Sequence, residues 1–343
     1  MNEHLRELYP EEKAYVEKEI QNPNLSLAQR AALRLKLFLE HERVVINPGE
    51  RVHAWRTIAS FPDIYAPGEK ERLTAGKHVH EQGRVCNISS DWAGVLNEGL
   101  MPRRFSTTPE GRTTIDAVLA YADQYEDPAL SRAIRTGTKG YLEALNVFRI
   151  LHFSLWASNV YHNTVGRFDQ YMWPFLKADM EKGMTEAEAL ELTSEFFLSF
   201  NRDSDLYIGM QRGDNGQSMM LGGCDKDGKS AVNPLTTICL KASLQNKRID
   251  PKINLRVNKD TPLELYELGT QLTRQGLGFP QYANDDVVIP ALVDMGYALE
   301  DARNYVVAAC WEFIIPGVAM DIPNIGAVSL AGVVAGVIRE NLT

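Results

Sequence analysis

The chain has 343 residues, of which 44% are hydrophobic and 24% are charged, a composition typical of globular proteins with a sizeable core. Its formal net charge of −9 argues against a nucleic-acid or anionic-membrane partner, and no apolar run is long enough to predict a membrane span. The four cysteines, Cys86, Cys224, Cys239 and Cys310, are spaced neither as a disulfide framework nor as a zinc site. We therefore expect a reduced, cytoplasmic protein without a metal in the chain.

The first forty residues are predicted to be helical. Residues 26–40 form an amphipathic pattern for which Ser26 is a suitable N-cap. Two short extended pieces are predicted within 43–55, around a Pro-Gly turn. Residues 56–112 are rich in Gly, Pro, Ser and Arg and are expected to be irregular, apart from a short helix near 92–99.

The rest of the chain alternates helices with apolar strands. Helices are predicted at 113–125, 140–161, 185–200 and 261–276, and the last two carry the capping-box pairs Thr185/Glu188 and Thr261/Glu264. Residues 233–244 are ambiguous, 252–257 predict a strand, and 301–311 predict a helix that runs into a strand. This alternation favours the α/β class, with a barrel and an open sheet both left open.

The stretch VVAACWEFIIPG, residues 306–317, places Cys310 and Glu312 in an apolar run. If the run is extended, residues i and i+2 point the same way, so the thiol and the carboxylate share a face opposite Trp311. A buried carboxylate must be paired, protonated or reactive, and burial raises its pKa towards that of a general acid or base. A core cysteine and a structural salt bridge remain the alternatives.

Two other segments carry candidate polar groups. His78 and His80 could share a face, but no third metal ligand is near them, and solvated histidines are the simpler interpretation. The neighbouring cluster has the composition of a pocket wall, although a solvent loop is an alternative; it consists of Arg84, Cys86, Asn87, Ser90 and Asp91. Tyr161 and His162 end a predicted helix, where ordinary packing is the alternative to a role in a site.

Several of these blocks, taken in order, resemble the glycyl radical enzymes. The blocks are SSDWAGVLNEGL (89–100), the segment 158–190 with GRFDQY, GGCDKDGKSAVNPLT (222–236), the segment 278–305 and CWEFIIPG (310–317). The family includes pyruvate formate-lyase and its dehydratase, decarboxylase and lyase relatives. The resemblance implies an N-terminal helical segment, 1–41, followed by an incomplete pyruvate formate-lyase-like domain, 42–343.

The family resemblance implies a ten-stranded α/β barrel of two five-stranded halves, of which this chain would form half or part. Cys310 would correspond to the cysteine on a loop inside the barrel, where a glycyl radical converts the thiol to a thiyl radical. That radical removes a hydrogen atom from the substrate, and Glu312 would handle a substrate proton. An activating radical S-adenosylmethionine enzyme installs the glycyl radical, and the enzyme is expected to be a homo-oligomer.

Departures from the family pattern bear on the reaction. Ala309 stands where pyruvate formate-lyase has a second cysteine, which argues against acyl transfer. Asn87, Tyr161-His162 and Asn324 replace groups that are usual in the diol dehydratases. The expected substrate-binding residues are Asn87, Asp91, Tyr161, His162, Trp311 and Asn324.

The family's Arg-Val-x-Gly-Tyr loop, which carries the radical glycine, is missing from these 343 residues. We therefore expect a shortened chain, or one part of a split enzyme whose partner brings the glycine. The leading hypothesis is a lyase that cleaves a C–C, C–O, C–N or C–S bond in a small polar metabolite. The alternatives are a formate C-acetyltransferase, a non-catalytic scaffold or repair subunit, and a hydrolase with Cys310 as its nucleophile.

Overall fold

The computed structural model describes residues 2–76, 87–158, 163–202, 217–309, 311–320 and 329–342. In these ranges the helices are α1 (Pro10–Ile20), α2 (Leu27–His41), α3 (Pro67–Ala75), α4 (Trp92–Glu98), α5 (Met101–Ser106), α6 (Pro109–Asp123), α7 (Pro128–Thr136), α8 (Tyr141–Ala157), α9 (Phe168–Glu181), α10 (Glu186–Ser199), α11 (Pro234–Asn246), α12 (Leu263–Thr273), α13 (Asp285–Asp294), α14 (Leu299–Arg303) and α15 (Leu330–Asn341). The strands are β1 (Ile88–Ser89), β2 (Asn163–Thr164), β3 (Gly166–Arg167), β4 (Ser218–Gly222), β5 (Lys252–Val257), β6 (Gln281–Asn284), β7 (Val306–Ala308) and β8 (Glu312–Ile314).

The first six strands form a parallel row with five positions. β1 pairs with β2, and β3, β4, β5 and β6 pair in that order, all in parallel. Only Val165 separates β2 from β3, so these two short strands occupy one position in the row. These five positions equal the five strands of one half of the barrel that the family resemblance implies.

The two faces of this row are covered by different elements. Met219 and Ile253 are register partners and belong, with other outward-facing side chains, to the core formed with the helices. Met220, on the opposite face of β4, packs in a second buried cluster with residues of the β7–β8 hairpin. Because side chains alternate along a strand, the helices lie outside the row and the hairpin lies inside it.

Local signals located several helix starts correctly. Ser26 accepts a hydrogen bond from Gln29 N, and Thr185 accepts one from Glu188 N, each within a reciprocal capping box. The capping box predicted at Thr261 is wrong: its hydroxyl accepts a hydrogen bond from Asn258 N, and α12 begins after Pro262. A local turn therefore competes successfully with the helix cap.

The predictions for the segment before α6 need correction. Residues 43–55 contain a turn at Gly49 but no strand, because each would-be strand lacks a partner in the described chain. The segment 56–112 holds α3, α4 and α5, of which only the helix near 92–99 was predicted.

The ambiguous stretch 233–244 is helical, and Asn233 caps it by accepting hydrogen bonds from Leu235 N and Thr236 N. The division at residues 41 and 42 stays a prediction.

No helix in the described ranges is both long and apolar enough to cross a bilayer. The exposed apolar residues of α15, which include Leu330 and Val337, occupy a 12-residue helix. That length is below what the hydrocarbon core of a membrane requires.

Glu42 is a buried carboxylate that joins the end of α2 to residues 57 and 58. It is 3% exposed, and its oxygens accept hydrogen bonds from Thr57 N, Thr57 Oγ1 and Ile58 N. Burial raises the pKa of Glu42 to about 7, against the lowering effect of the hydrogen bonds from Thr57. The folded chain therefore binds this proton more tightly than the unfolded chain does.

We predict that replacing Glu42 with Gln removes a pH dependence of stability. In the native chain the contribution of Glu42 is largest below its ordinary pKa and is lost as the pH rises towards 7, by roughly 3 kcal/mol at most. Urea unfolding at pH 5 and pH 7.5 measures the change. Glu40→Gln, at an exposed position of the same helix, should keep the native change in unfolding free energy between the two pH values. The same change in Glu42→Gln as in the native chain would contradict this assignment.

Candidate active site

Cys310 is the middle residue of the connection between β7 and β8, and it lies outside the described residues. The strands are antiparallel, with Val306 opposite Ile314 and Ala308 opposite Glu312. Ala309 has a φ of 48°, so the chain already turns before Cys310. The condition set in the sequence analysis, that residues 306–317 are one extended run, is not met, because 306–308 and 312–314 are two strands of a hairpin. That Cys310 and Glu312 share a face stays a prediction.

Two buried hydroxyl groups join the hairpin to the inner face of the strand row. Thr164 Oγ1 lies 2.7 Å from Val307 O, and Ser218 Oγ donates a hydrogen bond of 2.5 Å to Ala309 O. Thr164 and Ser218 are both completely buried. Ser218 begins β4, so the turn of the hairpin lies near the amino ends of the strands. Ala309, the last described residue before Cys310, is therefore held at a defined point on the inner face of the strand row.

Glu312 begins β8 and is half-buried. Its Oε2 accepts a hydrogen bond of 2.9 Å from Trp311 N, which ties the carboxylate to the residue directly after Cys310 in the chain. Trp311 is 54% exposed and Phe313 is 37% exposed within this chain. The Glu312 carboxylate and the exposed Trp311 are therefore neighbours at the turn end of the hairpin.

Asn87 lies at the amino end of β1 and is 1% exposed, with a φ of 54°. The next residue, Ile88, pairs with Asn163, which begins β2 directly after Tyr161 and His162 in the chain. Tyr161, His162 and Asn324 lie outside the described residues. Asn87 is thus at the same end of the strand row as the residues that bind the hairpin turn, and its role in binding stays a prediction.

Three residues at this end were missed by the sequence analysis: Asn163, Thr164 and Ser218. Asn163 is completely buried, and its Nδ2 has no hydrogen-bond partner among the described residues. An unpartnered buried amide costs free energy, which makes it a candidate for a ligand contact. No local signal marks Asn163 and Thr164, because a strand of two residues lacks a readable period.

The predicted pocket wall is divided between the two ends of β1. Ser90 and Asp91 follow β1 and line a cavity of about 540 Å³ at the carboxyl ends of the strands, whereas Asn87 precedes β1. Asp91 caps α4 by accepting a hydrogen bond from Gly94 N and forms an ion pair with Arg103. Arg84 and Cys86 lie outside the described residues. The contacts of Asp91 are those of a helix cap, and substrate binding by it stays a prediction.

The same cavity is lined by Arg167, which comes from the GRFDQY segment. Its Nη2 donates a hydrogen bond of 2.7 Å to Cys224 O. Burial, followed by the charge of Arg256, lowers the pKa of Arg167 to about 10, which leaves the guanidinium charged at neutral pH. Arg167 thus holds the chain beyond β4 at the end opposite the hairpin turn.

The two described cysteines, Cys224 and Cys239, are buried free thiols. Burial raises the pKa of both, so both stay protonated and unreactive at neutral pH. Within the described ranges, no three His, Cys, Asp or Glu side chains are grouped to hold a metal ion. His78 and His80 lie outside those ranges.

Comparison with known proteins identifies relatives of this arrangement. Residues 129–342 match the model of the family described as pyruvate formate lyase-like. The chain is 33% identical to (2S)-3-sulfopropanediol dehydratase of Klebsiella oxytoca over 167 residues, which is 47% of this chain and 20% of the relative. It is 32% identical to isethionate sulfite-lyase of Oleidesulfovibrio alaskensis over 158 residues, which is 44% of this chain and 19% of the relative.

The fold is similar to that of a glycyl radical enzyme from Archaeoglobus fulgidus, with a TM-score of 0.74 at 17% identity. The match covers 89% of this chain and 53% of the solved one, so the chain spans about half the length of that structure. This match confirms the expected fold, a part of the glycyl radical enzyme barrel surrounded by helices. More than half of the residues match the family model, and the chain therefore belongs to the pyruvate formate lyase-like family of glycyl radical enzymes.

Proposed function

We propose that this chain is the thiyl-bearing part of a glycyl radical lyase. Cys310 would carry the thiyl radical, Glu312 would act as the acid and base, and the substrate would be a small polar metabolite. The observation that carries the proposal is the β7–β8 hairpin, bound by Thr164 and Ser218 to the inner face of a parallel strand row. Cys310 directly follows Ala309 in the chain, and Glu312 begins β8.

The surroundings of the hairpin fit radical chemistry at a thiol. Val306, Val307 and Ala308 are at most 1% exposed, so water is excluded from the whole of β7, the strand that precedes Cys310. A glycyl radical close to Cys310 would supply the abstraction of the hydrogen atom from its thiol. The buried strand β7 would then shield the sulfur from water, and the hydrogen bonds from Thr164 and Ser218 would hold the backbone before it in place.

Glu312 would accept a proton from a substrate hydroxyl and return it to the departing group. The hydrogen bond from Trp311 N to its Oε2 orients the carboxylate. A positioned carboxylate of this kind contributes about 100- to 10,000-fold to a rate.

The names of two relatives suggest which bond breaks. They describe a dehydratase of (2S)-3-sulfopropanediol and a sulfite-lyase of isethionate. We propose that a C–O or C–S bond is cleaved here, ahead of the C–C and C–N bonds that the family also breaks. The proposed substrate-binding residues remain Asn87, Asp91, Tyr161, His162, Trp311 and Asn324.

The alternatives differ in what they require of the hairpin. A formate C-acetyltransferase would need a second thiol next to Cys310, and Ala309 provides none. A scaffold or repair subunit would need no reactive thiol at all. We keep this second role as the result that a failed activation experiment would support.

We propose further that the radical glycine comes from a partner chain or from another part of the protein. α15 supports this proposal because it exposes an apolar row that a monomeric surface would normally bury. The row consists of Leu330, Val333, Val334, Val337 and Ile338, each at least 50% exposed. Activation by a radical S-adenosylmethionine enzyme belongs to the same proposal.

The proposal is tested by anaerobic activation followed by electron paramagnetic resonance. The chain is incubated with a radical S-adenosylmethionine activating enzyme, with and without a candidate glycine-bearing partner. Isethionate, (2S)-3-sulfopropanediol and trans-4-hydroxy-L-proline serve as substrates. A doublet signal with consumption of a substrate supports the lyase. No signal and no turnover in any combination would leave the scaffold role.

We predict that Cys310→Ala abolishes turnover while radical formation and folding are kept. Removing one sulfur atom costs little packing, but it removes the only hydrogen-atom carrier that the proposal assigns. Product analysis and the electron paramagnetic resonance signal are measured together. Cys239→Ala, which removes a buried thiol from α11, is the matched control and should retain activity. Turnover by Cys310→Ala would end the proposal.

We predict that Glu312→Gln lowers turnover by about 100-fold or more and leaves radical formation intact. The amide oxygen of Gln can still accept the hydrogen bond from Trp311 N, so the turn should be preserved. Glu300→Gln, at an exposed position shortly before the hairpin, is the control. Normal turnover by Glu312→Gln would show that this residue is structural.

A further inference from the structure

A buried ion pair lies at the end of the hairpin opposite Cys310. Arg256 of β5 binds both carboxylate oxygens of Asp285, with Nε 2.8 Å from Oδ1 and Nη2 3.1 Å from Oδ2. Their side chains are 0% and 3% exposed. A pair so deeply buried is retained only when its remaining donors and acceptors also find partners.

Those partners belong to the chain that enters β7. Arg256 Nη1 donates to Arg303 O at 2.8 Å and to Tyr305 O at 3.3 Å, and the guanidinium stacks on the Tyr305 ring at 4.1 Å. Tyr305 OH donates a hydrogen bond of 2.8 Å to Asp285 Oδ1. Burial raises the pKa of Tyr305, so the phenol keeps this proton. Three residues thus form a closed set of contacts immediately before the hairpin.

Tyr305 contacts both strands of the hairpin. It directly precedes Val306, the first residue of β7, and its ring contacts that of Phe313 in β8, with centroids 5.6 Å apart. The cluster of Arg256, Asp285 and Tyr305 therefore binds the base of the hairpin. Thr164 and Ser218 hold the other end, near Ala309. With both ends attached, the hairpin has little freedom to tilt away from the inner face of the strand row.

The surrounding backbone is shaped to admit the cluster. Gly223 has a φ of 77°, and a Cβ at this position would lie 2.4 Å from Arg256 Nε. Cys224 N donates a hydrogen bond of 3.0 Å to Asp285 Oδ2. The segment after β4 is therefore fitted around the ion pair, which links β4, β5, α13 and the hairpin base.

We propose that Arg256, Asp285 and Tyr305 are positioning residues that fix the β7–β8 hairpin, and with it Cys310, for hydrogen-atom transfer. The role in transfer rests on the proposed function. The restraint of the hairpin by the cluster does not rest on the proposed function. Because a misplacement of about 1 Å can cost about 100-fold in rate, a restraint at the base is sufficient to control turnover.

The test compares Tyr305→Phe with Tyr141→Phe in the 343-residue chain. Each change removes one buried hydroxyl group: that of Tyr141 lies 2.8 Å from Thr193 Oγ1, and Tyr141 belongs to the helix-packed core and not to the buried cluster of the hairpin. Hydrogen exchange of residues 306–308 and 312–314 is measured by mass spectrometry, alongside urea unfolding. We expect exchange in the hairpin to be about tenfold faster in Tyr305→Phe only. Arg256→Lys, which keeps the charge and loses the two-pronged contact, should accelerate it further.

With the activated enzyme, Tyr305→Phe should lower kcat about tenfold while KM and the radical signal stay unchanged. A residue that only stabilises the fold would change the free energy of unfolding without lowering kcat at constant KM. Equal hairpin exchange in Tyr305→Phe and Tyr141→Phe would overturn the restraint. Faster exchange with a normal kcat would overturn the role in transfer. A native chain that never turns over would count against the proposed function, while the exchange result would still decide the restraint.

Discussion

A parallel sheet has to be covered on both faces, because its strands are apolar on both sides and its connections leave no face for solvent. In this chain the helices cover one face, and the β7–β8 hairpin covers the other. The hairpin carbonyls of Val307 and Ala309 are matched by the hydroxyls of Thr164 and Ser218. The requirement to cover the inner face therefore brings the Cys310 segment into an apolar environment. The chemistry we propose depends on that packing.

Motifs that carried the family resemblance turn out to hold the carboxyl ends of the strands. Asp169, from GRFDQY, is completely buried, and its Oδ2 accepts hydrogen bonds from Gly222 N at 2.8 Å and Thr236 Oγ1 at 2.6 Å. Burial raises the pKa of Asp169, and these hydrogen bonds oppose that rise. Gly223 makes room for Arg256. These motif residues thus stabilise the carboxyl ends of the strands around the hairpin.

Local signals predicted what depends on neighbours in the chain. The capping boxes at Ser26 and Thr185 and the strand Lys252–Val257 were found because each is specified within a few residues. Thr261 failed because a turn at Asn258 competes for the same hydroxyl. β1 and β2 have two residues each, and only pairing with distant strands makes them strands.

The sequence by itself determined the composition class, most of the longer helices, the family and the two residues, Cys310 and Glu312, on which the proposal centres. Their side-chain types and separation are properties of the chain alone. The tertiary structure decided that a hairpin, and not one straight segment, carries them, and that residues from 164 to 285 hold it. Such contacts join distant positions: Thr164 and Val307 are 143 residues apart, and Ser218 and Ala309 are 91 apart. No local pattern encodes them, because they exist only once the strands have paired and the inner face has been filled.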